Sequence, residues 1–265
     1  MKSSPGLGWV SNQESPVKFY SSLSSCIVVL ALFGMHITAP PASAKENDAP
    51  RIVDSGTFGV FEGAHRVATE TFSIKQDASG SIISSEFKAE KGEQKAVQSS
   101  ELDLTGSVNL RHYEWKELVP DKLQATVDPN DTFLIERFST GPDGKLQDQN
   151  FLLPASTSIM DDYFFVQREV LAWKYLATVC KQQKTGLGCP PNQKAQFGTL
   201  NPHARSSMLV SIEFTGKDKI MVRGSERDLS RFMLRSETGD WAMWLDDSFK
   251  IVRLLGDNGI EVVRD

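Results

Sequence analysis

The histidines are the first residues to test for chemistry. The chain carries four, and three of them, His65, His112 and His203, lie beyond the N-terminal apolar segment. None stands in an H-x-H or H-E-x-x-H pattern and no cysteine cluster accompanies them, so the spacing lacks the convergent ligands that zinc needs. Each reads as a surface or strand histidine. A serine hydrolase would show a nucleophile elbow, and no G-x-S-x-G occurs. Asp54 and His65 could meet some serine in space, but serine is too common here to be informative. Asp161-Asp162 and Asp246-Asp247 are the adjacent carboxylates. The first suits the positive start of a helix, and the second suits a hairpin turn. Gly186-Leu187-Gly188 lacks the strand–turn–helix setting of a nucleotide loop and reads as a flexible loop. Asn130-Asp131-Thr132 is formally a glycosylation sequon. Arg223, Arg227, Arg231 and Arg235 recur every four residues, but the surrounding alternation and Gly224 favour strands and a turn over a helical stripe. No catalytic residue, metal site or cofactor is implied, and the expectation is a non-enzymatic protein.

Aromatic side chains are the richest class. Trp115, Tyr163, Phe164, Trp173 and Trp241 are the candidate ligand-binding residues, with Phe165, Tyr175 and Trp244 nearby in pattern. A mostly apolar pocket with few polar groups suits an acyl or isoprenoid ligand. The same residues would equally fill a core without voids.

Cys180 and Cys189 enclose eight residues, Lys-Gln-Gln-Lys-Thr-Gly-Leu-Gly. This spacing is not C-x-x-C and no histidine lies beside it, so a structural disulfide is expected rather than a metal or redox pair. An oxidising compartment agrees with the N-terminus. Residues 26 to 35 form an apolar run of signal-peptide length, Lys18 precedes it, and Ala42-Ser43-Ala44 is a small-x-small cleavage pattern. Residues 1–44 are expected to be a cleaved signal peptide and 45–265 a single domain. An uncleaved anchor is disfavoured by His36 and the prolines that cut the run short. Leu23-Ser24-Ser25-Cys26 resembles a lipoprotein box, but its apolar stretch follows the cysteine. The expected location is periplasmic or extracellular, with no stable membrane span after cleavage. The net charge of −5 gives nothing to draw the protein to nucleic acid.

The elements that must position these residues are mainly strands. Met208, Val210, Ile212 and Phe214 alternate with Leu209, Ser211, Glu213 and Thr215, and Tyr113 and Trp115 share one face opposite His112, Glu114 and Lys116. Turn chemistry stands at Glu62-Gly63, Asp77 to Gly80, Gly141-Pro142-Asp143-Gly144, Gly216-Lys217-Asp218 and Asp257-Asn258-Gly259. The tail predicts a three-stranded meander, Asp240–Leu245, Phe249–Leu255 and Ile260–Val263. One helix is expected from about Ile159 to Cys180, apolar over so wide an arc that several sides must be buried. A surface loop is expected from Gly186 to His203. The predicted fold class is mainly β (α+β), a strongly curved antiparallel sheet or half-open barrel wrapped around one long helix.

Leu152-Leu153-Pro154 leading into Ser158 to Cys180, then Trp244-Leu245-Asp246-Asp247, Ile251-Val252-Arg253 and Val262-Val263-Arg264, carry a resemblance of layout over roughly residues 52 to 265. The pattern resembles uncharacterised secreted bacterial domains with a curled sheet and, through them, the LolA/LolB-like envelope lipoprotein carriers. That resemblance implies a half-open sheet holding acyl chains against the helix. The expected function is therefore an exported envelope protein binding a hydrophobic small molecule or lipid between sheet and helix. The alternative is a structural or interaction protein of the envelope, with a filled core and a protein partner.

Overall fold

The structure is a computed structural model that describes residues 49–90, 95–139, 141, 144–183 and 186–265. The expected leader, 1–44, and two residues of the turn at 141–144 lie outside the described residues.

Alternating segments become strands wherever a turn signal lets them reverse. The first half runs β1 (Arg51–Glu62), β2 (His65–Gln76), β3 (Gly80–Ala89), β4 (Val97–Thr105), β5 (Leu110–Val119), β6 (Gln124–Asn130), β7 (Phe133–Ser139) and β8 (Leu146–Phe151). A two-residue strand, β9 (Ser158–Ile159), precedes helix α1 (Val166–Val179). The small hairpin β10 (Lys181–Gln183) and β11 (Gly186–Gly188) follows. The second half runs β12 (Lys194–Asn201), β13 (Ser206–Val222), β14 (Ser225–Ser236), β15 (Gly239–Leu245), β16 (Ile251–Gly256) and β17 (Ile260–Arg264). Gly80 shows why a turn residue is fixed: a Cβ there would stand 1.8 Å from the Leu104 carbonyl oxygen.

Fifteen strands form one sheet, in the order β8-β7-β6-β5-β4-β3-β2-β1-β17-β16-β15-β14-β13-β12-β9. The two halves are meanders that meet where β1 pairs with β17. Trp115 on β5 and His203 just after β12 are ten strand spacings apart, about 48 Å in a flat sheet at about 4.8 Å per strand. Their ring centroids are 3.9 Å apart. The sheet therefore curls until its ends approach, and the Leu110 N–H donates to the Ala155 carbonyl across the approach. Among the described residues no strand pairing closes it, and β8 and β9 are its edges.

This corrects the expected fold class in two respects. The sheet is mixed, because β9 pairs parallel with β12 while the other pairs are antiparallel. The helix is not long: α1 has 14 residues, and Ile159 to Phe165 are not part of it. Ser158 and Ile159 gain ladder bonds from Thr199 and Leu200 instead. The helix start is supplied by a strand, since Glu70 on β2 accepts the Phe165 and Val166 N–H groups at 2.8 and 3.3 Å. Carboxylates placed there satisfy the unpaired amides and the positive end of the helix. Two local expectations change as well. Residues 194–201 form β12 rather than loop, and Gly216 makes a bulge inside the 17-residue β13 rather than a turn.

The core lies between the curled sheet and α1. Phe58, Tyr113, Phe164, Tyr175, Phe232 and Leu200 are among its fully buried members. The helix touches strands far apart in the sheet. Trp173 Nε1 donates to the Phe249 carbonyl at 2.6 Å, and the Tyr175 hydroxyl donates to the Gln193 carbonyl at 2.7 Å. That hydroxyl also accepts the Phe214 N–H.

Candidate functional site

A cavity of about 480 Å³ opens beside the start of α1. Its walls come from both meanders: Val60, Ala68 and Phe87 on one side, Met208, Trp241 and Ile260 on the other, with Met160, Tyr163 and Phe165 from the segment before the helix. Apolar walls joined by a few polar groups are what a small-molecule site requires. The outstanding polar group is Arg168, on the first turn of α1 and 4% exposed. Its guanidinium carbon lies 5.0 Å from the centre of the Phe165 ring and 4.8 Å from that of Trp241. One nitrogen donates to the Asp161 carbonyl at 3.3 Å, and Nε has no partner. Burial lowers the Arg168 pKa, opposed by the negative field of Asp162, Glu70 and Asp161.

Behind this cavity runs a buried polar chain. Asp161 is fully buried and bonded through every polar atom. Its N–H donates to Gln167 Oε1 at 2.7 Å, and Oδ1 accepts the Tyr163 N–H at 3.0 Å. Oδ2 accepts the Tyr113 hydroxyl at 3.0 Å and meets His203 Nδ1 at 2.5 Å. A carboxylate can only accept, so Nδ1 of His203 carries the hydrogen. Its Nε2 is buried without a partner. Burial and the Asp161 charge raise the Tyr113 pKa well above its usual value. Glu70 is pushed up to about 7, burial outweighing its bonds to Ser85, Val166 and Phe165.

His203 also lines a second cavity of about 360 Å³, with Trp115, Phe138, Glu136, Ser139 and Arg205. Both Glu136 carboxyl oxygens are buried and unpartnered. Burial raises its pKa to about 8, with attraction from Arg205 opposing and repulsion from Asp161 adding. Near neutral pH this cavity therefore holds a protonated carboxyl, and the unpartnered Nε2 of His203 belongs to the same lining. Among the described residues of this lining, the one serine is engaged elsewhere. Ser139 Oγ accepts the Gln124 N–H at 2.9 Å and donates to the Gln124 carbonyl at 3.4 Å, which ties it into the β6–β7 ladder. Among the described residues no group of three or more His, Cys, Asp or Glu could hold a metal ion.

A third cluster fastens the helix. Arg264 forks onto Asp54 at 3.2 and 2.8 Å and bonds Glu169 at 2.8 Å, while Lys250 reaches Asp54 at 2.8 Å. Glu169 also accepts the Ile251 N–H at 2.6 Å. Burial acts to raise the Asp54 pKa, but the bonds from Arg264 and Lys250 prevail and hold it near 2. Burial, reinforced by the neighbouring Asp54, raises Glu169 well above the carboxylate range.

The five aromatic candidates do not form one site. Tyr163 and Trp241 share the Arg168 cavity. Trp115 lines the His203 cavity and donates to Gln98 at 2.9 Å. Trp173 lies on another face of α1, lining a cavity of about 360 Å³ with Val53, Ile74 and Ala177. Phe164 is wholly buried in the core and lines none of these three cavities. The disulfide Cys180–Cys189 is formed, with 4.3 Å between Cα atoms. Asp161 proves not to cap the helix, and His203, expected to be a surface or strand histidine, lies just after β12 and is mostly buried. Arg168, Glu70 and Glu136 carry no motif. One signal was available for Arg168: Gln167-Arg168-Glu169 interrupts a helix otherwise apolar over most of its circumference.

No protein-family model matches the chain, and no curated protein matches it. Among solved structures, a DUF1089 family protein from Pseudomonas aeruginosa is similar at a TM-score of 0.40 and 10% identity, covering 71% of this chain and 89% of that one. Among the described residues no helix is long and apolar enough to cross a membrane.

Proposed function

We propose that this is an exported, non-enzymatic envelope protein that binds a hydrophobic ligand or lipid in the Arg168 cavity, between the curled sheet and the start of α1. The observation that carries the reading is a cavity of about 480 Å³ whose lining joins aliphatic and aromatic side chains from both halves of the sheet to polar ones, Arg168 among them. Cores normally pack without such space. The disulfide supports a periplasmic or extracellular setting, because such bonds persist in oxidising compartments. Native mass spectrometry of protein purified gently from its own envelope should show a bound lipid mass. Uptake of the neutral dye N-phenyl-1-naphthylamine should be lost on Ala89→Trp, which puts an indole into the cavity. An apo mass together with no dye uptake by the wild type would sink the proposal.

A second reading, an envelope interaction protein, is favoured by one feature. Edge strand β8 is mostly exposed, with Leu146 at its start 49% exposed and Leu152 just beyond its end 77% exposed. Such an edge can accept an extended segment of a partner as a further strand. Loss of a co-purifying envelope protein on Gln149→Pro, with dye uptake unchanged, would support it.

A further inference from the structure

We infer that the ligand of the large cavity is an anionic amphiphile, its carboxylate or phosphate monoester head seated on Arg168 and its tail against Phe87, Met160 and Trp241. This rests on the binding function proposed above and assigns a charge to the ligand.

An arginine buried without an ionic partner costs several kcal/mol, and removing one partner of a buried pair is correspondingly destabilising. Arg168 stands in that condition. It is 4% exposed and donates one hydrogen bond, to a carbonyl rather than a carboxylate. Among the described residues no ion pair reaches it. The guanidinium has five N–H donors in a planar fork suited to carboxylate and phosphate. Two aromatic rings hold that fork, and both rings line the cavity, so the group is already positioned at the wall where a ligand would sit.

The neighbouring acids do not occupy it. Glu70 is committed to Ser85 and to the N–H groups of Phe165 and Val166. Asp161 is committed to His203, Tyr113 and the Tyr163 N–H. Asp162, which also lines the cavity, is exposed. That acid of the lining is thus exposed while the cation is dry. A neutral ligand would leave Arg168 as it is; an anionic head would complete it. Leaving a buried polar group unpaired is what makes a site reject the analogue that lacks the matching group.

The test uses three ligands with one tail: dodecanoate, dodecyl phosphate and dodecanol, each displacing N-phenyl-1-naphthylamine from the protein. Either anion should bind about tenfold or more tightly than the alcohol, the worth of a charged hydrogen bond. The better of the two anions identifies the head. Arg168→Met should abolish the preference. Arg168→Lys, which keeps the charge and loses the fork, should retain part of it, and circular dichroism confirms that each variant is folded. If Arg168→Met does not fold, the wild-type ratios and Arg168→Lys decide. Equal affinity for acid and alcohol in the wild type overturns the inference and leaves the binding function standing. So does a preference that survives in a folded Arg168→Met protein. Failure of all three ligands to displace bound dye overturns the inference, and failure of the dye itself to bind overturns both.

Discussion

Glu136→Gln should change how stability depends on pH. Glu136 is fully buried on β7, neither carboxyl oxygen has a partner, and its pKa is raised to about 8. In the unfolded chain the same group ionises at the ordinary carboxylate value. Between the two values the unfolded state has released a proton that the native state still holds. Wild-type stability must therefore fall as pH rises through this window, and level off above about 8. The gap from 4.5 to about 8, at about 1.4 kcal/mol per pH unit, sets an upper limit of about 5 kcal/mol. Water reaching the adjoining cavity screens part of this, leaving about 2–4 kcal/mol. Glutamine has nearly the same shape and no titration. The stability of Glu136→Gln minus that of wild type should grow by that amount between pH 4.5 and 8. Glu70 titrates in the same range, but it is present in both proteins and cancels. Urea unfolding followed by tryptophan fluorescence across the window gives the difference directly. Parallel curves for the two proteins would show that Glu136 is solvated or paired in solution, and the reasoning about its burial would be wrong.

Asp54→Asn should cost about 2–4 kcal/mol at neutral pH, since it leaves Arg264 and Lys250 facing a neutral amide. Asp54 has a depressed folded pKa, so its contribution is present above the unfolded value of 3.8 and lost as pH falls through about 2; an acid titration of both proteins should converge there. Replacing both Cys180 and Cys189 by serine should lower stability by about 2–3 kcal/mol, the chain-entropy worth of so short a loop, measured by denaturation without reductant. Mass spectrometry of the exported protein should show an N-terminus at Lys45; an intact leader would refute cleavage after Ala44.

The readable parts of this fold were those settled within a few residues of sequence. Trp241, Met243 and Leu245 alternate beside a turn, and β15 to β17 form the meander that pattern predicts. The helix ends were not local. Its start is fixed by Glu70, 95 residues before Phe165, and by Ile159 pairing with Leu200 on a strand yet to come. Residues 194–201 alternate well enough, but Pro190, Pro191 and Pro202 bracket them and made the stretch read as loop. Gly216, at φ +127°, serves a bulge as readily as a turn, and only the partner strand distinguishes the two. The site suffered most. An aspartate before a helix is ordinarily a cap, and nothing near Asp161 in sequence announces that Tyr113 and His203 converge on it.

The molecule contains its own comparison for deciding between a filled core and an occupied one. Asp54, Glu169 and the half-buried Arg264 show how this fold treats polar groups that hold elements together: the guanidinium meets both acids and Lys250 adds a further cation. Those groups sit where α1 is tied to β1, β16 and β17. Arg168 and Glu136 are buried as deeply and are not treated in this way. Each lines a cavity rather than a seam between elements. Among the described residues, four of the seven buried side-chain atoms without a partner, on Glu136, Arg168 and His203, line the two openings that flank Asp161, the placement expected where a partner comes from outside the chain.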